Sequence, residues 1–167
     1  MKPTKSRIVC IILLLFVTLC VGTASAAGSG TLTATDALQV KGGEDGHIVI
    51  FLNGSYNPAV GGLELSVYYD ESVADATAFR RNPEGGTGVT PKDLSSGFSP
   101  QLANDLGIPS ETWLWNITFT SKKNDGSAMT VRLVPTVVSS VNLPPDDYLG
   151  VTTVHNAIFK TKDQVAP

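Results

Sequence analysis

The side chains able to perform acid–base or nucleophilic chemistry are few in this sequence and widely spaced. Only two histidines occur, His47 and His155, and no G-x-S-x-G segment or other nucleophile motif accompanies either of them. Catalysis by a serine nucleophile needs a base held beside an exposed hydroxyl. We therefore predict that the chain is not an enzyme and that both histidines lie at strand edges or on the surface.

Acidic side chains are the remaining candidates for catalysis or metal binding. A paired-carboxylate glycosidase stays open, because its two carboxyl groups are defined by their separation in the fold. Its candidate residues are Glu64, Asp70, Glu71, Asp75, Glu84 and Glu111. Neighbouring acids occur at 44–45, 70–71 and 146–147, but neither an H-x-x-x-H pair nor a complete D-x-[DN]-x-[DN]-G loop is present. We predict solvated turn acids, and no metal or cofactor held by this chain.

Surface modification and surface binding are the other chemistries that the residue types allow. Asn53-Gly54-Ser55 and Asn116-Ile117-Thr118 are sequons, so Asn53 and Asn116 are candidate N-glycosylation sites. Tyr68 is the aromatic residue on a well-patterned strand that could stack on a sugar or anchor a protein partner. A row of three aligned aromatic side chains, as a planar sugar platform would need, is not evident.

Residues 1–26 have the layout of a secretory signal peptide. A basic start precedes an apolar run from Ile8 to Val21, and Ala24-Ser25-Ala26 provides a cleavage site of small residues. The run is shorter than the roughly 18–20 residues needed to span a bilayer, which disfavours a retained anchor helix. We therefore expect a secreted protein, extracellular or associated with the cell surface. The expected mature organisation is a short lead-in at 27–30, one domain at 31–162 and a tail at 163–167.

The charge of the expected mature chain excludes two classes of partner. Removal of the leader takes away three of twelve basic residues and leaves nine against fifteen acidic ones, a net charge near −6. No basic stripe remains to bind nucleic acid or an anionic membrane. Both cysteines, Cys10 and Cys20, lie in the leader, so the domain must be stabilised by its core rather than by disulfides.

Hydrophobic alternation predicts the elements that position these residues. Residues 62–69 alternate with period two, which is typical of a strand with one buried face. The inward residues are Leu63, Leu65, Val67 and Tyr69, and the outward residues are Gly62, Glu64, Ser66 and Tyr68. A second strong strand at 112–120 is predicted to bury Trp113, Trp115, Ile117 and Phe119. In the next strand Met129, Val131 and Leu133 face inward, and Thr130 and Arg132 face outward.

Weaker patterns complete the predicted architecture. Further strands are predicted at 31–35, 47–52, 76–79, 136–141 and 151–160, separated mostly by turn residues. One short helix is predicted at Ser99–Gly107, where Pro100 follows a serine cap and a glycine ends the segment. Eight or nine strands with almost no helix indicate an all-β sandwich or jelly roll.

The order of these segments resembles the cohesin family. The glycine-flanked strand and turn at 60–73 is similar to the third strand of cohesin modules, where an alternating strand runs into Tyr-Asp-Pro-x-Val. Similar segments follow the family's order at 42–52, 113–122, 127–133 and 155–159. The resemblance implies a nine-stranded jelly-roll sandwich, related in fold to some carbohydrate-binding modules. It also implies a non-catalytic role in binding a dockerin, a partner module that itself carries the calcium.

The resemblance also implies where the partner would bind. In the family, an Asn and an Asp on the outward face of strand three help to hold the dockerin, and Gly62 and Glu64 occupy the matching positions here. Glu71 stands where the family has proline. The implied partner-binding residues are Gly62, Glu64, Ser66, Tyr68, Thr130 and Arg132. A carbohydrate-binding module with a polysaccharide ligand, or a structural cell-surface domain, remains an alternative on the same fold.

Overall fold

The computed structural model describes residues 27–164, which form two packed β-sheets. The strands are β1 (Ala27–Ala34), β2 (Ala37–Val40), β3 (Asp45–Asn57), β4 (Val60–Tyr68), β5 (Ala74–Arg81), β6 (Gln101–Ala103), β7 (Thr112–Ser121), β8 (Ala128–Ser140), β9 (Thr152–His155) and β10 (Ala157–Thr161). The first sheet has the order β5-β7-β3-β1-β9, and the second has the order β2-β10-β8-β4-β6. The predicted all-β sandwich is confirmed. The predicted signal-peptide helix lies outside the described residues.

The last predicted strand, at 151–160, is divided between the two sheets. Its first part, β9, pairs in parallel with β1, while its second part, β10, pairs antiparallel with β8 and in parallel with β2. Asn156 lies between the two parts, and its Oδ1 accepts a hydrogen bond of 2.8 Å from the Leu133 amide. This division contributes to a total of ten strands where the resemblance implies nine.

The predicted helix at Ser99–Gly107 is wrong. Gln101–Ala103 forms β6 and pairs antiparallel with β4, which places Leu102 in the core between two exposed neighbours. The amides of Leu65 and Val67 on β4 also donate to the carbonyls of Pro100 and Phe98, at the start of this segment and just before it. A two-turn helix would have left that edge of β4 unpaired, and tertiary pairing therefore overrides the local signals. Two single-turn 3₁₀ helices, Pro83–Gly85 and Leu149–Val151, are the only helical segments in the described part. No helix within residues 27–164 is long and apolar enough to cross a membrane.

The core lies between the facing sheets and is built from the alternating residues of each strand. Leu63, Leu65 and Val67 are buried, as predicted. Tyr69 is half-buried and meets the Phe119 ring edge-on, with 5.0 Å between ring centroids. The fully buried large side chains include Trp115, Tyr148, Phe119, Phe159, Leu32, Ile48, Ile50 and Ile117.

Only one of the two tryptophans belongs to the core. Ile50 pairs with Trp115 but the next residue, Phe51, pairs with Trp113, so Leu114 is an extra residue in β7. This bulge buries Leu114 and turns Trp113 toward the outer surface, where the Arg80 guanidinium lies 5.7 Å from its ring centroid. The prediction that both tryptophans are buried is therefore wrong for Trp113. A period-two pattern cannot reveal a bulge of one residue.

Trp115 has no exposed surface, and its indole Nε1 has no hydrogen-bond partner. Replacement by alanine is expected to lower the free energy of unfolding by about 3–5 kcal/mol, because it leaves a large cavity. Trp115→Phe is expected to cost much less, because it keeps an aromatic ring and removes an unpaired buried donor. Urea unfolding followed by circular dichroism measures both variants. If both variants lose the same free energy of unfolding, the indole N–H of Trp115 is not an unpaired buried donor as described.

Three turns share an Asp-x-Ser arrangement in which the aspartate accepts a hydrogen bond from the amide two residues later. They lie at Asp70–Ser72, Asp93–Ser95 and Asp125–Ser127. The serine hydroxyl and amide stabilise the ionised carboxylate and hold the pKa of each aspartate below its ordinary value of 3.8. The folded state therefore stabilises the charged form of these three aspartates.

An aspartate whose pKa is lower in the folded state than in the unfolded state stabilises the fold at every pH above its unfolded-state pKa. That stabilisation is lost as the pH falls through its folded-state pKa. Stability is therefore expected to fall below about pH 4, near the unfolded aspartate pKa. The triple variant Asp70→Asn, Asp93→Asn, Asp125→Asn keeps an acceptor in each turn but cannot ionise. Its urea midpoint should change less between pH 5 and pH 3 than that of the parent. If the urea midpoints of the parent and the triple variant fall equally between pH 5 and pH 3, the three turns do not contribute to the pH dependence of stability.

Candidate functional site

The six residues predicted to bind a partner lie together on the outer surface of the second sheet. Gly62, Glu64, Ser66 and Tyr68 project from β4, and Thr130 and Arg132 project from the neighbouring strand β8. Antiparallel pairing places Tyr68 directly opposite Arg132. We call the outer surface of β6, β4, β8 and β10 the β4–β8 face. The structure thus brings the predicted residues together, while their role in binding stays a prediction.

Tyr68 and Arg132 form one end of this face. The Arg132 Cζ lies 4.7 Å from the centroid of the Tyr68 ring, a distance typical of a cation–π contact. The Tyr68 side chain remains 39% exposed. Because Arg132 covers part of the ring, a sugar could stack only on what remains accessible. The pair presents an aromatic edge and a guanidinium to a partner at the same point.

Gly62 and Glu64 border a shallow depression at the other end of the face. Its volume is about 330 Å³, and Val89, Ala103 and Val137 also line it. Gly62 has no side chain to fill this space, and Glu64 supplies a carboxylate at its margin. Glu64 and Tyr68 are four residues apart on one strand, about 13 Å at the usual rise per residue. The face therefore carries an acidic group and a basic group at opposite ends.

Ser66 lies between the two ends and is engaged by the protein itself. Its Oγ lies 2.9 Å from the Oγ of Ser99, close enough for a hydrogen bond in either direction. The side chain is half-buried. Ser66 therefore fixes the segment before β6 against β4 and offers less to a partner than Glu64 or Tyr68 does.

Two exposed apolar residues on this face were missed by the sequence reasoning. Val137 is 41% exposed and Ile158 is 38% exposed. Glu64 pairs with Val137 whereas Leu65 pairs with Pro135, so Thr136 is an extra residue that shifts the alternation of β8. The proline inside the strand was the one signal that could have revealed this shift, because proline marks bulges and edges. Ile158 lies opposite Thr130 on β10, within the predicted strand 151–160 that alternates less cleanly in sequence.

The other candidates for chemistry lie elsewhere and apart from each other. His47 Nδ1 lies 3.2 Å from Thr118 Oγ1 on the first sheet, and His155 ends the edge strand β9. Within residues 27–164, no three His, Cys, Asp or Glu side chains are grouped so as to hold a metal ion. The expectations of no catalysis and no cofactor stay predictions.

The neighbouring acids have partners within the protein. Glu44 forms an exposed ion pair with Lys41 at 3.3 Å. Asp146 Oδ2 accepts hydrogen bonds from Ser140 and Asn142, each at 3.0 Å. These contacts hold turns together, whereas the prediction that the acids bind no metal stays a prediction.

The two sequons lie on the outer surface of the first sheet. Asn53 is half-buried near the end of β3. Asn116 is also half-buried, and its Oδ1 is buried without a hydrogen-bond partner. Glycosylation at either residue stays a prediction.

The fold of this chain matches those of solved protein structures. Neither a family model nor a curated protein matches the sequence. The sixth cohesin of scaffoldin B from Acetivibrio cellulolyticus, solved in complex with a Cel5 dockerin variant, superposes with a TM-score of 0.64 at 15% identity. The match covers 79% of this chain and 99% of that chain. The fold is that of a cohesin module.

Two further cohesins extend the comparison beyond that protein. The non-cellulosomal cohesin of the archaeon Archaeoglobus fulgidus matches with a TM-score of 0.58 at 13% identity, covering 84% of this chain and 94% of that chain. A cohesin module from a family 33 glycoside hydrolase of Clostridium perfringens gives 0.60 at 14% identity, covering 83% and 98%. The cohesin-like domain predicted from the segment order is confirmed. At such low identities the likeness concerns the fold, and the binding residues must be argued from this chain.

The two glycines of β4 should differ in their tolerance of a side chain. A Cβ on Gly62 would lie 2.6 Å from the Ser139 Oγ, which can rotate away, so Gly62→Asn should cost less than about 1 kcal/mol. A Cβ on Gly61 would lie 2.9 Å from the Val141 Cα, which belongs to the backbone, so Gly61→Asn should cost about 1–3 kcal/mol. Urea unfolding of the two variants tests the order. A larger loss at Gly62 would contradict the geometry of this face.

Proposed function

We propose that this chain is a non-catalytic binding module that holds a dockerin-type protein partner on the β4–β8 face. The observation that carries the proposal is the continuous outer surface of β4 and β8, on which Tyr68 pairs with Arg132 at one end and Glu64 lies at the other. The cohesin-like fold supports it, since a cohesin of that fold has been solved with a dockerin bound.

The chemistry of the face indicates what the partner must present. Glu64 favours a basic group opposite the depression, and Arg132 favours an acidic group at the other end. Val137 and Ile158 offer exposed apolar surface on the same face, which a partner would remove from water. Opposite charges flanking apolar residues favour one orientation of the partner, because the reversed orientation would pair like charges.

The face departs from the pattern of the family at its most important positions. Gly62 stands where the resemblance implies an asparagine, so the amide that would hydrogen-bond a dockerin is missing. Glu64 keeps a carboxylate but carries it on a longer side chain. A partner suited to this chain would fill the depression beside Gly62 and would place its basic group further from the sheet.

The location proposed for this function is outside the cytoplasm. The basic start, the apolar run Ile8–Val21 and the small residues before Ala27 support export. A module displayed outside the cell would meet partners that are themselves exported. Detection of the protein in the medium or at the cell surface, with Ala27 as the first residue, would support this part of the proposal.

Charge reversal at Glu64 tests the proposed face. Binding of the protein to a panel of dockerins is measured by isothermal titration with and without calcium, because the dockerin carries the calcium. Glu64→Lys is expected to weaken the tightest interaction at least about tenfold while leaving the unfolding midpoint unchanged. The matched control is Asp45→Lys, the same charge change at an exposed position on the outer surface of the first sheet, and it should bind normally.

Three outcomes of this experiment would overturn the proposal or relocate the site. If no dockerin binds but a polysaccharide array does, the chain is a carbohydrate-binding module. If Glu64→Lys binds like the parent, the partner uses another surface. If Asp45→Lys and Glu64→Lys weaken binding equally, the effect is one of net charge rather than of the β4–β8 face.

A further inference from the structure

Three segments form one end of the sandwich. They are the turn between β3 and β4 at 57–59, the loop at 104–111 and the loop at 141–148. Val141 donates its amide to the Ala59 carbonyl at 3.1 Å, and Ile108 donates to the Val60 carbonyl at 2.7 Å. A Cβ placed on Gly107 would lie 2.5 Å from the Ala59 Cβ and 3.8 Å from the Val141 Cγ1. The two loops therefore lie side by side on the turn, and we call this surface the 58 end.

The 58 end carries the two most exposed leucines of the described chain. Leu106 is 95% exposed and Leu143 is 96% exposed, one on each loop. An open groove of about 420 Å³ lies next to Leu106, and Leu52, Val60 and Ile108 contribute apolar side chains to it. Leucine at this exposure gains nothing from the fold, because its side chain stays almost wholly in water. Two such leucines on adjacent loops, beside an apolar groove, give this end of the sandwich an exposed apolar surface that a partner could cover.

The chain before β1 also leaves the fold at the 58 end. Ala27, the first residue of β1, pairs with Asn57, directly before the turn. Only residues 22–26 separate Ala27 from the apolar run Ile8–Val21. Even fully extended, this connection spans at most roughly 20 Å. Whatever binds the apolar run is therefore held close to the exposed leucines.

We propose that, in the precursor and before the leader is cleaved, the 58 end docks on a lipid bilayer with Leu106 and Leu143 in the interfacial layer. A basic start followed by fourteen apolar residues partitions into membranes by its own composition. The short connection then presents the leucines to the same surface at a high effective concentration. The sequence alone predicts that only the leader contacts a membrane, whereas this docking would also bring the folded domain into contact with it.

The charges of the same loops select the kind of lipid. Asp105 precedes Leu106, and Asp146 and Asp147 follow Leu143 by three and four residues. These carboxylates would be repelled by an anionic surface and tolerated by a zwitterionic one. The 58 end carries no basic side chain to offset these acids, and the leader's Lys2, Lys5 and Arg7 lie on the far side of the apolar run in the sequence. The occupant we assign to the loops is therefore a zwitterionic bilayer such as phosphatidylcholine.

Docking in this way would also orient the proposed binding module. β4 begins beside the 58 end at Val60 and runs away from it to Tyr68. The β4–β8 face would consequently stand upright on the membrane with Tyr68 and Arg132 far from the lipid. Glu64 would lie between them and the bilayer, and a soluble partner could still reach the end of the face that carries Tyr68 and Arg132.

Spin labels on the full chain test the docking. The native cysteines are first replaced by Cys10→Ser and Cys20→Ser, and a nitroxide is then attached to Leu143→Cys, Leu106→Cys or Ala128→Cys. Ala128 is an exposed residue at the start of β8, at the opposite end of the sandwich, and serves as the matched control. The protein is reconstituted in phosphatidylcholine vesicles. Collision rates with dissolved oxygen and with a water-soluble nickel chelate are measured for each label.

Labels at 143 and 106 are expected to collide with the nickel chelate at least about threefold less often than the label at 128, and to collide more with oxygen, which concentrates in lipid. Nickel collisions equal to those at 128 would overturn the proposal, because the loops would then lie in water. Low collision rates with both reagents would also overturn it, since protein would cover the leucines, either the leader itself or a second copy. If the labels at 143 and 106 collide with the nickel chelate even less often on vesicles that contain phosphatidylglycerol, the assignment of a zwitterionic surface is overturned. The two labelled leucines are independent, so misfolding of one variant leaves the other informative.

Discussion

The outward position of each β4 side chain on the β4–β8 face depends on the burial of the opposite side of β4. Leu63, Leu65 and Val67 are packed between the sheets with at most 1% of their surface exposed. A slip of one residue in the pairing would bring Glu64 and Ser66 into the core and these apolar residues to the surface. The energetic cost of burying a carboxylate without a partner makes that register inaccessible. The core residues of β4 thus determine which side chains a partner can meet.

The strands with regular alternation could be predicted from the sequence, together with the side on which each residue lies. This is why Glu64, Tyr68, Thr130 and Arg132 were correctly expected to share a surface. The alternation alone could not predict the two bulges, because an extra residue at Leu114 or Thr136 leaves no mark in a pattern of polar and apolar residues. Pro135 was the one signal for the second bulge, and no comparable signal marks the first. As a result Trp113 was expected inside and Val137 was overlooked. On the β4–β8 face, the exposed Val137 was missed where the hydrogen-bonded pairing of β4 with β8 is irregular.

The segment around β6 shows a second reason for failure. Serine, proline and glycine around 99–107 are the local signals of a helix, and nothing nearby in the sequence opposes them. The deciding interaction is the pairing of Gln101–Ala103 with β4, some forty residues earlier in the chain. The same long-range pairing creates the depression beside Gly62, whose wall includes Ala103 and Val89. Features that depend on distant pairing, including part of the candidate site, were therefore beyond a reading of local patterns.

The parallel pairing of β1 with β9 has a mechanical consequence. β1 starts at the 58 end, whereas the chain after β10 leaves near Asn124, because the Gln164 amide bonds to the Asn124 carbonyl between β7 and β8. Tension applied through the two termini therefore acts along the strands in opposite directions. To separate, β1 would have to slide past both β3 and β9, which loads all of its hydrogen bonds together instead of opening them one after another. A domain connected in this way is expected to resist pulling by shear rather than by unzipping.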